Sequence, residues 1–142
     1  MIRFELVTLD GTKYSEEVYE VRLPTPLGEI GVFAHHMPLV SIASPGVITV
    51  RKRQNDPETV LEYFATNGGV IEILDNHIRV LVDEADREDE INEQEALKAF
   101  ERAQEMQKEA ADQLSLDKAQ NLIDRSNVRL KVADLKRRKR RQ

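Results

Sequence analysis

The chain contains no cysteine, which removes both a disulfide framework and a thiolate-held metal and suits a reducing compartment. No run of residues approaches the roughly 20 apolar positions of a membrane-spanning helix. The opening segment, MIRFELVTLD, lacks the basic-then-apolar layout of a secretory signal. Histidine is scarce, with three in all. His35 and His36 are adjacent, and adjacent residues of an extended chain point to opposite faces, so one metal would seldom take both. His77 is expected in a turn between strands. No metal site is therefore expected. A histidine base also needs a nucleophile or an orienting carboxylate. Glu29 lies near His36 in sequence, but no Ser or Asp completes a recognisable arrangement. Asn67-Gly68-Gly69 is not a phosphate loop either, because that motif would run on to Gly-Lys-Ser/Thr and open a helix. Here Val70 to Leu74 follow, and the glycines read as a turn needing positive φ.

What is present divides the chain in two. Its 142 residues suit one domain, or a small domain with an appendage. The apolar fraction of 40% is enough for a core, while the charged fraction of 33% exceeds the roughly 25% of ordinary globular chains. The net charge of -5 conceals a gradient. Residues 1–82 are mildly acidic. Residues 83–112 carry 12 acids against 4 bases, and residues 113–142 carry 10 bases against 3 acids. Such asymmetry points to a segment with a partner.

Up to about Val82 the pattern is that of short strands. Ile2, Phe4 and Leu6 alternate with Arg3, Glu5 and Val7, the period of a half-buried strand. Asp10-Gly11, Pro24-Thr25-Pro26, Pro45-Gly46, Asn67-Gly68-Gly69 and Asp75-Asn76 separate further apolar runs and are expected as turns. A β-sandwich or barrel follows. Beyond Asp83, Ala, Glu, Gln, Lys and Arg take over, all good helix formers except where Gly or Pro intervene, and neither does. Asn92 with Glu95 three residues on reads as a capping box. Ala96, Ala99, Ala103, Met106 and Ala110 form one stripe, and Leu116, Ala119, Ile123, Ser126, Leu130 and Ala133 a second. Asp112 to Ser115 make the bend, with Ser115 as the second cap. The stripes can face each other as an antiparallel hairpin. Alanine buries little area, so at about 25 cal/mol per Å² the hairpin should be weakly held and able to detach.

Acids near the start of the first helix and bases at the end of the second favour the helix dipoles. That does not explain the six consecutive bases Lys136 to Arg141. The run has the charge for phosphate contacts but lacks interleaved aromatics, and the rest of the chain is acidic. An acidic protein surface is the better target.

Taken in order, Gly28-Glu29-Ile30-Gly31-Val32-Phe33, His36-Met37-Pro38-Leu39, Pro45-Gly46-Val47, Asn67-Gly68-Gly69-Val70-Ile71-Glu72-Ile73, Val80-Leu81-Val82 and Ala85-Asp86-Arg87 resemble the epsilon-subunit family of bacterial F-type ATP synthases. The resemblance spans about Ile2 to Leu135. It implies an α+β fold in two parts, a ten-stranded β-sandwich over residues 1–86 and a two-helix hairpin over residues 87–142. It also implies a non-catalytic rotor subunit on the cytoplasmic face of the bacterial plasma membrane. Its partners would be the gamma subunit, the ring of c subunits, and the alpha and beta subunits, with no nucleic acid and the membrane reached only through the complex. Glu29 and His36 match positions facing the c-ring. Arg125, Arg129, Lys131, Lys136, Arg137 and Arg138 are the candidates for gripping the catalytic subunits when the hairpin opens and restrains hydrolysis.

Some relatives bind ATP on the folded hairpin through the pattern Ile-Asp-x-x-Arg-Ala, where this chain has Ile91-Asn92-Glu93-Gln94-Glu95-Ala96. Asp86, Arg102, Arg125 and Arg129 stand at positions resembling the other ligands. Glu95 puts a carboxylate where a cation should meet nucleotide, so tight ATP binding is not expected and no cofactor is assigned. Two other readings remain open from the residues alone. One is a β-sandwich adaptor whose basic C-terminal helix binds RNA or an acidic protein, and the other a small hydrolase using Glu29 and His36.

Overall fold

The computed structural model describes residues 1–141. Eight strands precede two helices. The strands are β1 (Ile2–Thr8), β2 (Gly11–Val18), β3 (Glu20–Thr25), β4 (Gly28–Phe33), β5 (Leu39–Arg51), β6 (Glu62–Leu74), β7 (His77–Val82) and β8 (Ala85–Arg87). Helices α1 (Glu93–Glu109) and α2 (Gln113–Arg141) follow. Neighbouring strands run in the order β2-β1-β7-β6-β5-β3-β4, with β8 pairing on β6. All pairs are antiparallel except β1 with β7.

The two-part architecture agrees with the sequence reading, but the strands number eight and not ten. The reason lies at the glycines. β5 and β6 are each 13 residues long and pair from Leu39–Ile73 to Val50–Glu62. Pro45-Gly46 and Asn67-Gly68-Gly69 are not turns. They lie opposite one another inside this ladder, which skips only the Ser44–Gly68 step. Gly68 does take positive φ, at 89°. A Cβ at Gly69 would lie 2.0 Å from the Leu81 carbonyl oxygen, so no other residue fits. The start of β5 and the end of β6 therefore join β7 and β1 in one layer. The end of β5 and the start of β6 join β3, β4 and β8 in the other.

Two smaller expectations also change. β3 runs through Pro24, which pairs with Glu29. This is tolerated because the β3–β5 ladder has ended at Arg22, leaving no partner for the missing N–H. His77 opens β7 and does not lie in the turn.

Between the layers lies one core. Ile2, Phe4 and Leu6 point inward as their alternation requires, meeting Val21, Leu23, Ile48, Phe64, Ile71, Ile73, Ile78 and Val80. Tyr14 packs edge-on against Phe64, ring centroids 5.4 Å apart.

In the hairpin, Asn92 Oδ1 accepts from the Glu95 backbone N–H at 3.1 Å. The cap is one-way; one turn earlier Glu90 Oε1 accepts from the Arg87 backbone N–H at 3.1 Å, and that contact is one-way too, because a guanidinium has no acceptor to return. The second cap is Asp112 and not Ser115. Asp112 Oδ1 accepts from the Ser115 N–H at 2.8 Å, while its carbonyl accepts from Leu116. Aspartate satisfies the orphan donors of a first turn as well as serine does. The helix seam consists of small residues, with Ala96, Ala103, Ala119, Ser126 and Ala133 all buried.

α2 has a second apolar stripe, distinct from the Leu116-to-Ala133 stripe read in the sequence. Val132 is fully enclosed among Val47, Leu61, Tyr63 and Ala65, with Ile91, Val128 and Leu135 around it. Strand alternation explains the pocket. Phe64 faces the core while Tyr63 and Ala65 face outward. α2 covers that outer face.

Candidate functional site

Among the described residues none covers the opposite outer face. On it Ile42 pairs with Val70 and Val70 with Leu81, a row across β5, β6 and β7. Their exposures are 64%, 45% and 47%. Each occupies the outward phase of a strand whose inward residues, Ala43, Ile71 and Val80, are buried. A contiguous apolar row where alternation calls for polar residues marks an interaction surface. The next row is charged beyond the apolar Val40: Val40 pairs with Glu72, Glu72 with Arg79 and Arg79 with Glu5. Glu5 Oε2 lies 3.6 Å from Arg79 Nε and 3.5 Å from His77 Nε2. An apolar strip with a charged border suits docking to another protein.

Glu29 and His36 are both near β4 but are not brought together. Glu29 sits beside the β3–β4 hairpin, paired with Pro24, while Phe33 at the other end pairs with Glu20. His36 follows in the next turn, so at ~3.3 Å per residue the strand alone separates the two by about 13 Å. Glu29 is exposed. His36 Nδ1 lies 2.7 Å from the Met37 carbonyl oxygen. The preceding His35 has φ of 62°, held by Asn76 Oδ1 accepting from its N–H at 2.8 Å, and Asn76 Nδ2 donates to the Met1 carbonyl. This segment is an edge strand and a pinned turn rather than a loose loop. Among the described residues no group of three or more His, Asp or Glu is placed to hold a metal.

The basic residues of α2 meet acids of their own chain. Arg125 Nε lies 2.7 Å from Glu84 Oε1, an ion pair whose N–H direction misses the carboxylate, since that nitrogen makes no hydrogen bond. Arg129 lies 3.5 Å from Asp86. Lys136 Nζ donates to the Glu88 carbonyl at 3.4 Å. Arg137 meets Glu93 and Asp134, and Arg138 meets Asp134. Lys131 is exposed. Lys139 is the most enclosed of the cations in ion pairs on α2. Its ammonium donates to Glu88 Oε1 at 2.5 Å and to the Leu61 carbonyl at 2.6 Å, and sits 5.4 Å from the Tyr63 ring centre. Burial, then the Glu58 and Glu88 carboxylates, push the Tyr63 phenol above its ordinary value.

Residues 1–88 match the family model described as ATP synthase, Delta/Epsilon chain, beta-sandwich domain. The chain belongs to this family. An ATP synthase epsilon chain of Herpetosiphon aurantiacus is 34% identical over 136 residues, spanning 96% of each chain. One from Chloroflexus aggregans is 34% identical over 141 residues, spanning 99% of this chain and 98% of the relative. A chain in the mitochondrial ATP synthase of Euglena gracilis shares the fold, with a TM-score of 0.76 and 22% identity over 89% of this chain and 77% of that one.

The residues expected from the resemblance as nucleotide ligands are only partly brought together. A cavity of about 210 Å³ between the helices is lined by Asn92, Glu95, Ala96, Arg125, Ser126 and Arg129, among others. Asp86 is turned to Arg129, Arg102 is exposed on α1 and lines no part of this cavity, and Glu95 is on its wall. Sequence reasoning also missed the apolar row, Val132, and the acids Glu84 and Glu88. The two-residue spacing of Glu84, Asp86 and Glu88 was the available signal.

Proposed function

We propose that this chain works in the central stalk of a bacterial F-type ATP synthase, coupling the gamma subunit to the c-ring and restraining ATP hydrolysis through α2. It is a non-catalytic subunit of that complex, as its family and its epsilon-chain relatives are. The observation that carries the coupling role is the bare Ile42–Val70–Leu81 row, which seats gamma. Glu29, at the exposed β3–β4 hairpin, and His36, in the turn beyond β4, meet the c-ring as separate contacts. Arg125, Arg129, Lys131, Lys136, Arg137 and Arg138 meet acidic residues of the catalytic subunits once α2 leaves the sandwich. The complex holds the chain peripherally at the membrane, on the cytoplasmic face, and no described helix is long and apolar enough to cross it. With Asp86 engaged, Arg102 apart and Glu95 on the cavity wall, tight ATP binding is not part of this reading.

The test of coupling is Ile42→Asp combined with Leu81→Asp. The free chain should melt as the parent does, because both side chains already face water, yet it should no longer co-purify with gamma. Normal co-purification would remove the row from the reading. For restraint, deleting residues 113–142 should raise ATPase activity of the assembled complex, and unchanged activity would dismiss it.

A further inference from the structure

We propose that an acidic rail on the sandwich, Glu84, Asp86 and Glu88, locks α2 in place and that Lys139 is its bolt. The regulatory consequence rests on the reading of α2 as the restraint on hydrolysis, but the lock itself does not.

The rail runs along β8 and its flanks: Glu84 just precedes the strand, Asp86 lies within it, and Glu88 opens the 3-10 turn Glu88–Glu90 after the extended Arg87. Residues two apart in an extended chain share a side, spaced by about 6.6 Å, and Ala85 between them points into the core. On the helix, Arg125 and Arg129 are one turn apart, or about 6 Å. The two repeats agree closely enough for Glu84 to take Arg125 while Asp86 takes Arg129. Glu88 then receives Lys136 at its carbonyl and Lys139 at its carboxylate. The pairs become more enclosed along the rail. Exposures are 38% and 40% for Arg125 and Glu84, 28% and 24% for Arg129 and Asp86, and 19% and 18% for Lys139 and Glu88. An exposed pair contributes little. A charge-assisted hydrogen bond shielded from water contributes more. Lys139 is also saturated, with two oxygen acceptors and an aromatic face for an ammonium that has three protons.

Four of the cations read as reaching outward, Arg125, Arg129, Lys136 and Arg137, are thus engaged by Glu84, Asp86, Glu88 and Glu93. One side chain cannot serve both sets of acids. α2 reaches another subunit only after the lock opens, and the acids on the sandwich compete with those of the partner for the same helix. Of these four acids only Glu93 is on α1; the buried alanines and serine of the α1–α2 seam add no charge of their own.

The test is hydrogen exchange on the full chain, carrying Glu88→Lys, Lys139→Glu, or both. Each single change should speed exchange of residues 125–141 roughly tenfold or more, with β1 and β7 amides unchanged as the internal control. The double swap should restore most of the protection. Unchanged exchange in the single variants, or a double variant as fast as they are, overturns the lock. Should Glu88→Lys disturb the sandwich amides, Lys139→Gln is the milder probe and must act in the same direction. In the assembled ATP synthase the single variants should hydrolyse ATP more slowly. Faster exchange with unchanged hydrolysis overturns the inhibitory reading and leaves the lock standing.

Discussion

The two outer faces of the sandwich are built from the same strands and meet opposite fates. One presents Val47, Tyr63 and Ala65, and the chain's own α2 covers them with Val128, Val132 and Leu135. The other presents Ile42, Val70 and Leu81 and is left bare. Both are apolar in the phase where a two-layer sheet facing water would be polar. The difference teaches that α2 is a resident partner on one side, and that the other side has a place for a visitor. Covering also differs in kind within the hairpin. The α1–α2 seam is alanine and serine, each giving up little area. The α2–sandwich seam combines branched and aromatic side chains with the enclosed Lys139–Glu88 pair. The hairpin is held at its base more than along its length, and residues 111–118 beyond the base are all exposed.

Substitutions at graded depth can break or sharpen this contrast. The largest effect belongs to the core that both faces share. Phe64→Ala, with its edge-on contact to Tyr14 lost, should cost about 3–5 kcal/mol in urea unfolding of the whole chain. On the covered face, Val132→Ala should cost about 2 kcal/mol. That loss should show as faster exchange in α2 while β1 and β7 stay protected; if the whole chain loosens together, the faces are not independent. On the bare face, Leu81→Ser should change the free chain's stability by less than about 0.5 kcal/mol. A larger loss would mean that something in the free chain already covers it.

The smallest effect is a pH response at the hairpin tip. The Ser115 hydroxyl and N–H both donate to the Asp112 carboxylate and hold its pKa below the ordinary 3.8. Because the folded value is the lower one, the stabilisation is present above 3.8 and is lost as pH falls through the depressed value. NMR should see the first turn of α2 fray over that acid range, with no change at the Val132 seam. Asp112→Asn should abolish the pH response while keeping the cap.

Much of this was legible in the sequence because the signals were local. Alternation placed Ile2, Phe4 and Leu6 inward, and the Asn92 cap and the alanine stripe followed from spacing within one or two turns. Legibility failed where the deciding contact was distant. Pro45-Gly46 and Asn67-Gly68-Gly69 have the composition of turns, and only their pairing across some 20 residues makes them bends in continuous strands. Pro24 looked like a strand end because nothing local shows that its ladder neighbour has already departed. The acids at Glu84 and Glu88 were not singled out, because they answer cations about 40 and 50 residues away. Glu29 and His36, close in number, are held at opposite ends of one strand.

The uninterrupted passage of β5 and β6 through both layers has a mechanical corollary. In a sandwich of two separate sheets only interdigitated side chains join the layers. Here two adjacent, mutually hydrogen-bonded backbones are common to both sheets, as a folded card has one crease. A twisting load delivered to the bare face passes along covalent bonds into the far sheet, and sliding one sheet over the other requires re-registering the entire β5–β6 ladder. The resistance to that sliding lies in the β5–β6 ladder, paired on both sides of the Ser44–Gly68 step.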